Sequence, residues 1–189
     1  MSRPSRHRSA LRKALLGLAL SLPLAAGADS VPEYQIKATY LYNFAAFVSW
    51  PDGRAQPRSP TFRYCMFGAG PVEQALRTLV RGEAVDGRPL EVQRVTAGES
   101  LAGCQVLYLA ETAGAAAADL LGAVAGTPVL TVGDSEDFVH QGGMIGLVRQ
   151  RLKLQVIIAL DRVQRCQLRV NARLLQLATI VRRAPGAPE

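Results

Sequence analysis

The sequence predicts a single α/β domain with three layers, α/β/α, built on a largely parallel sheet with an antiparallel edge. Apolar runs alternate along the chain with helical segments, and this alternation is typical of strand–helix–strand units. Most of these runs are apolar on both strand faces, as in a sheet covered on both sides. Two consecutive β-type segments near the end of the chain add the antiparallel edge. The strand order stays open.

The first 28 residues have the pattern of a cleaved signal peptide. A basic segment is followed by an apolar stretch at 14–24 and an Ala-Gly-Ala cleavage motif at 26–28. Eleven helical residues rise only about 16 Å, which is too short for the roughly 30 Å of a bilayer core. An exported, periplasmic protein is therefore predicted, with a domain at 29–183 and a frayed tail at 184–189.

The basic charge of the full chain comes mostly from this leader. Five of the 22 Lys and Arg residues lie there and none of the 15 Asp and Glu residues. From Asp29 onward, 17 basic and 15 acidic residues remain, which gives a net charge of +2. This balance does not predict a nucleic-acid partner. Basic residues near 149–153 and 182–183 are interpreted as solvated surface.

Six segments are predicted as strands. The runs 62–68, 104–110 and 128–134 are mostly apolar, whereas 89–95 alternates with period two. The last two, 142–150 and 153–160, form a pair with a turn around Gln150 and Arg151.

Three helices follow the first strand, each with a recognisable boundary residue. They are predicted at 71–82 with Pro71 at the start and Gly82 at the end, at 115–126 ending at Gly126, and at 171–181 with Asn171 as N-cap. The last of these has an apolar side formed by Leu174, Leu175, Leu177 and Ala178.

An amphipathic helix is predicted at 33–49, before Pro51. Its apolar arc covers about 140° and is expected to pack on the sheet. The arc is formed by Ile36, Tyr40, Leu41, Phe44, Phe47 and Val48. Lys37 falls inside this arc and is expected to extend outward to solvent. Tyr42, Asn43 and Trp50 lie off the arc, and Tyr and Trp are typical interface anchors, so these three are the candidate partner-binding residues.

Residues 36–51, IKATYLYNFAAFVSWP, resemble the N-terminal signature of the YfiR family of periplasmic proteins. Further segments follow in the order that the family shows: CQVLYLAE at 104–111, PVLTVGD at 128–134, GGMIGLV at 142–148 and ARLLQLA at 172–178. The resemblance covers residues 34–181. One departure is KLQVIIALD at 153–161, which has Ile158-Ala159-Leu160 where the family usually has an Asn-Leu pair.

The resemblance implies a regulatory function without catalysis. YfiR-like proteins bind and repress the periplasmic portion of an inner-membrane diguanylate cyclase, which lowers cyclic-di-GMP and with it biofilm and exopolysaccharide output. The resemblance also implies a second partner, an outer-membrane, peptidoglycan-associated lipoprotein that sequesters the repressor. Whether the chain forms a homodimer stays open.

Three cysteines allow three single pairings with one thiol left over, and an oxidising compartment favours a bridge. The family resemblance implies the Cys65–Cys104 pair, because both positions match cysteines of YfiR-like proteins. The family's second pair has no counterpart here. Cys166 is therefore expected to be a free thiol, either buried or able to link two chains.

Small-molecule binding is the alternative function. In a parallel sheet the carboxyl ends of the strands form the natural ligand crevice. Its candidate lining residues are Gly68, Gly70, Gly133, Asp134, Gly142 and Gly143.

Other chemical motifs are weak. The GAG turn at 68–70 has Glu73 where a phosphate-binding turn has its third glycine. The acidic run 134–137 is interpreted as a solvated turn with capping roles. His140 is the single histidine after the leader, and no G-x-S-x-G motif occurs. The sequence therefore predicts no catalytic site, metal or cofactor.

Overall fold

The computed structural model describes residues 31–51, 59–68, 70–151 and 153–182. The predicted signal peptide at 1–28 and the predicted tail at 184–189 lie outside the described residues. Within the described ranges the elements are, in chain order, α1 (Glu33–Phe47), β1 (Val48–Ser49), β2 (Phe62–Phe67), α2 (Gly70–Leu79), β3 (Ala84–Val85), β4 (Arg88–Arg94), β5 (Val106–Leu109), a 3₁₀ turn (Glu111–Ala113), α3 (Ala116–Ala123), β6 (Leu130–Gly133), α4 (Glu136–His140), β7 (Ile145–Gln150), β8 (Lys153–Ala159), α5 (Leu160–Arg165), β9 (Arg169–Val170), α6 (Ala172–Leu177) and β10 (Ala178–Val181).

Eight of the described strands form one sheet in the order β10-β8-β7-β6-β5-β2-β4-β3. The neighbours from β7 to β4 run parallel, as do β10 and β8, whereas the β7–β8 and β3–β4 pairs are antiparallel. The predicted largely parallel sheet is therefore confirmed. The predicted antiparallel pair of 142–150 and 153–160 is also present, but β10 lies outside it, so β8 is not an edge strand.

Helices cover both faces of this sheet, which confirms the α/β/α arrangement. In β5, Val106 and Tyr108 point into one core and Leu107 and Leu109 into the other. The first core also receives side chains of α1, α2, α5 and α6, and the second receives those of α3 and α4.

The first helix is shorter than predicted. Helix α1 ends at Phe47, and residues 48–49 form β1, which pairs antiparallel with β9. The N–H of Asn171, directly after β9, donates to the Phe47 carbonyl at 2.8 Å. Hydrogen bonds to β9 and the residue after it therefore replace those that a longer α1 would have made within the helix.

The last predicted helix is also too long. Asn171 caps α6 as predicted, accepting a hydrogen bond from the Arg173 N–H at 2.9 Å. The helix ends at Leu177, and residues 178–181 form β10 along β8. The β-branched residues Thr179, Ile180 and Val181 favour a strand once β8 offers a partner. Leu177 is consequently exposed, and its predicted place on a buried helix side is wrong.

The disulfide between Cys65 and Cys104 is present, with Cα atoms 5.8 Å apart and a sequence separation of 39 residues. It joins β2 to the loop before β5 on the second face of the sheet. Cys166 is free and buried in the first core.

We expect the Cys65→Ala/Cys104→Ala variant to lose about 4 kcal/mol of unfolding free energy, because the bridge restricts the unfolded chain. Urea denaturation under oxidising conditions measures this loss. Cys166→Ala is the matched control, and it should keep the wild-type response to a reducing agent. An unfolding free energy of the double variant equal to that of the wild-type protein would contradict the prediction.

Candidate functional site

Helix α1 packs on the first face of the sheet and against α2, and Leu41 and Phe44 of the predicted arc are fully buried there. Its buried side chains are Lys37, Ala38, Leu41, Phe44 and Ala45. Ile36, Tyr40 and Phe47 of the predicted arc are half-buried, and Tyr40 and Phe47 pack against the first core.

Lys37 is buried, with 8% of its surface exposed, and the expectation that it extends to solvent is wrong. Its Nζ lies 2.7 Å from Oε1 of Glu33 and 3.4 Å from Oδ2 of Asp134. A buried ammonium group is costly without partners of opposite charge, and the two carboxylates supply them.

Asp134 follows β6 directly and is the centre of this contact. Its Oδ2 also accepts a hydrogen bond from the Tyr108 hydroxyl at 2.9 Å. Among the described residues, its Oδ1 has no hydrogen-bond partner. Burial and the negative charge of Asp134 raise the pKa of Tyr108, so this hydroxyl stays protonated and donates.

Arg149, at the end of β7, completes the set by donating to Oε2 of Glu33 at 2.9 Å. The hydrogen bond from Lys37 is the largest cause that holds the pKa of Glu33 below its usual range, and Arg149 adds to it. We call Glu33, Lys37, Tyr108, Asp134 and Arg149 the Lys37 network. It joins α1 to β5, β6 and β7.

Gly68 and Gly70 line one cavity, and the other predicted crevice residues, Gly133, Asp134, Gly142 and Gly143, do not line it. A Cβ atom at Gly133 or at Gly143 would overlap the ring of Phe138, so these two glycines make room for that ring. Gly142 lies in the turn before β7 and has a positive φ of 117°. Asp134, the fourth predicted residue in this part of the chain, is engaged by the Lys37 network.

Gly68 and Gly70 line a separate shallow cavity of about 360 Å³ at the end of β2. Arg94 and Thr96 contribute to the same cavity. The nearby carboxylate of Glu73 is buried and accepts hydrogen bonds from Arg77 and Arg94, the latter at 2.7 Å. The position that departs from a phosphate-binding glycine therefore holds a buried ion pair.

A larger groove lies between α1 and α2, with a volume of about 590 Å³. It is lined by Tyr34, Gln35, Thr39, Pro71, Gln74, Ala75, Thr78 and Leu79. Tyr34 and Leu79 are two of the large hydrophobic side chains that the described surface exposes. The sequence pattern did not predict this groove, because the exposure of Leu79 depends on how α2 packs.

The three predicted partner-binding residues are all half-buried. The Tyr42 hydroxyl donates to Oε2 of Glu83 at 3.2 Å, and this hydrogen bond raises the pKa of Tyr42. The Trp50 ring meets that of Phe62 edge to face, with centroids 4.9 Å apart. Both side chains thus combine a fixed position with some exposed surface, and their contact with a partner stays a prediction.

A profile of the YfiR/HmsC-like family matches residues 34–179, which is most of the chain. The chain belongs to the YfiR/HmsC-like family. No curated protein matches it. Within the described residues, no helix has the length and apolar character needed to cross a membrane. This family consists of periplasmic, non-catalytic regulators, and membership therefore indicates a regulator in cyclic-di-GMP signalling.

The family segments recognised in the sequence coincide with the elements around the Lys37 network. Residues 36–51 contain most of α1 and all of β1, and 128–134 contain β6 and Asp134. The resemblance to the YfiR/HmsC-like family thus includes both residues of the buried Lys37–Asp134 ion pair.

We expect Lys37→Met to lower the unfolding free energy by about 3 kcal/mol, because it leaves the carboxylate of Asp134 buried without its cation. Asp134→Asn should also destabilise the protein, and the double variant should lose less than the two single losses together. Urea denaturation at pH 7 measures the cycle. Thr39→Ala, at an exposed position of α1, is the control and should change the value by less than about 0.5 kcal/mol. Additive single losses would show that the two residues are not coupled.

The ionised Glu33 should stabilise the protein in a pH-dependent way. Because the pKa of Glu33 is lowered from 4.5 on folding, its contribution is complete above pH 4.5 and is lost as the pH falls through the lower folded value. The difference in unfolding free energy between wild-type protein and Glu33→Gln should therefore be constant near neutral pH and shrink in acid. Glu111→Gln, at an exposed carboxylate outside the network, is the control for the lost charge. A difference that does not change with pH would contradict this role.

Proposed function

We propose that this protein binds the periplasmic portion of an inner-membrane diguanylate cyclase and represses it, which lowers cyclic-di-GMP and reduces biofilm and exopolysaccharide output. The observation that carries the proposal is the YfiR/HmsC-like match over residues 34–179, which covers nearly the whole α/β domain. An outer-membrane, peptidoglycan-associated lipoprotein is the proposed second partner.

The interior of the domain supports partner binding over catalysis. Carboxyl ends of parallel strands are where α/β domains usually hold ligands. Here Lys37 neutralises Asp134 after β6, and Phe138 fills the space above Gly133 and Gly143. The side chains that would bind a small molecule at this position contact one another instead.

The surface that we propose for the cyclase includes Tyr42, Asn43 and Trp50. The hydrogen bond to Glu83 fixes the Tyr42 ring, and packing on Phe62 fixes Trp50. Aromatic side chains that are held in place lose little conformational freedom on binding, which favours their use as anchors.

Cellular cyclic-di-GMP in a strain that lacks this gene tests the function. We expect its level to rise, and complementation with the wild-type gene to restore it. Complementation with Tyr42→Arg should restore it less well, whereas Glu83→Gln, which removes the charge of Glu83 but keeps the Tyr42 ring and an acceptor for its hydroxyl, is the matched control and should restore it fully. An unchanged level in the deletion strain, with the cyclase expressed, would overturn the proposed function. Full repression by a folded Tyr42→Arg protein would remove Tyr42 from the interface.

The groove between α1 and α2 supports small-molecule binding as a second candidate function. Its volume of about 590 Å³ falls within the range of ligand pockets. Its lining of amide, hydroxyl and apolar side chains, without a charged group, fits a neutral ligand with an apolar part.

A ligand in this groove should raise the melting temperature of the wild-type protein in a screen of neutral metabolites. Ala75→Trp should abolish that rise by filling the groove, whereas Arg81→Gln, at an exposed position outside the groove lining, should leave it unchanged. A flat melting temperature across the screen would remove this candidate.

A further inference from the structure

We propose that the outer edge of β10 is a docking strand, to which a protein partner adds an extended segment that carries acidic residues. This inference rests on the proposed function, because the partner is taken to be the periplasmic portion of the cyclase. It names a surface separate from Tyr42 and Trp50 and the chemistry of the segment that binds there.

Strand β10 ends the eight-stranded sheet. Its inner side pairs with β8, with Ala178 opposite Val156 and Val181 opposite Ala159. In the part of the chain that the structure describes, no strand pairs with its outer side. An edge of this kind presents free backbone N–H and C=O groups to any extended chain that aligns with it.

Most devices that protect an edge strand from pairing are missing here. Natural edges are commonly blocked by proline, by charged side chains within the strand, or by shortness. Residues 178–181 are Ala-Thr-Ile-Val and have neither proline nor charge, so four-residue length is the one protection of this kind.

Leu177 adds an apolar contact immediately before this edge. It is 75% exposed, more than any other large hydrophobic side chain of the described surface. A partner that pairs with β10 would cover Leu177 and remove its apolar surface from water.

Positive charge lies at both ends of β10. Residues 149–182 contain eight Lys and Arg and a single acidic residue, Asp161. Asp161 pairs with Arg165, and Arg149 pairs with Glu33 of α1. Lys153 is three positions before Val156 on β8, about 10 Å from the start of β10. The exposed Arg182 directly follows the end of β10. An added segment therefore meets positive charge on either side of its four paired residues, which favours acidic flanks.

The same charges argue against a second copy of this chain as the occupant. An antiparallel pair of two β10 strands would place Arg182 of each copy toward the Lys153 end of the other. Like charges at both ends of the pair would weaken it. An acidic segment from a different protein meets no such repulsion.

Binding of the full mature protein to the purified periplasmic portion of the cyclase tests the inference. We expect Leu177→Glu and the Lys153→Glu/Arg182→Glu variant each to raise the Kd about tenfold or more, and the effect of the charge reversal to diminish at high salt. Arg81→Glu, an exposed arginine beyond α2, is the matched control and should change the Kd less than about twofold. Amides of residues 178–181 should gain hydrogen-exchange protection in the complex. Unchanged melting temperatures establish that the variants are folded.

The outcomes separate this inference from the function on which it rests. If wild-type protein does not bind the cyclase, the proposed function and the inference are both overturned. If it binds, and the edge variants bind equally well without protection of 178–181, the inference alone is overturned. Two further outcomes would overturn the inference if the same variants leave cyclase binding unaffected. One is a dimer that Leu177→Glu dissociates. The other is binding to anionic vesicles that Lys153→Glu/Arg182→Glu abolishes.

Discussion

The ion pair between Lys37 and Asp134 is the contact on which the arrangement of this domain depends. It joins the first helix to the carboxyl end of β6 across 97 residues of sequence, with both side chains largely removed from water. An ammonium group in this position is tolerated because Glu33 and Asp134 offset its loss of hydration. The contact acts beside the apolar packing of α1, in which Leu41 and Phe44 are fully buried in the first core.

The Lys37–Asp134 ion pair lies at the carboxyl end of β6, in the part of an α/β domain that usually binds a ligand. Asp134 follows a central parallel strand, and side chains at such positions commonly bind substrates or cofactors. Lys37 and Tyr108 occupy its Oδ2, while Phe138 lies against the neighbouring glycines. The side chains at this end of β6 are therefore satisfied by contacts within the domain.

Acidic and basic residues are unevenly distributed along the chain. Between Asp29 and residue 148 there are 13 acidic and eight basic residues, whereas residues 149–182 contain eight basic residues and one acidic residue. The sheet order brings this basic part to one edge, since β8 and β10 are its last two strands on that side. The net charge of +2 from Asp29 onward therefore conceals a separation of acidic and basic residues along the chain.

The sequence by itself determined the class of the fold and most of its strands, because apolar runs with two buried faces are a local signal that tertiary structure seldom overrides. It also indicated the Cys65–Cys104 bridge, through residues that resemble a known family. Only the tertiary structure decided where α1 ends, what residues 178–181 form, and whether Lys37 is buried. In each case the deciding partner is distant in sequence: β9 pairs with Val48 and Ser49, β8 pairs with β10, and Asp134 neutralises Lys37. Periodicity reports which face of a segment is apolar, but it does not report which backbone or carboxylate will lie beside that segment after folding.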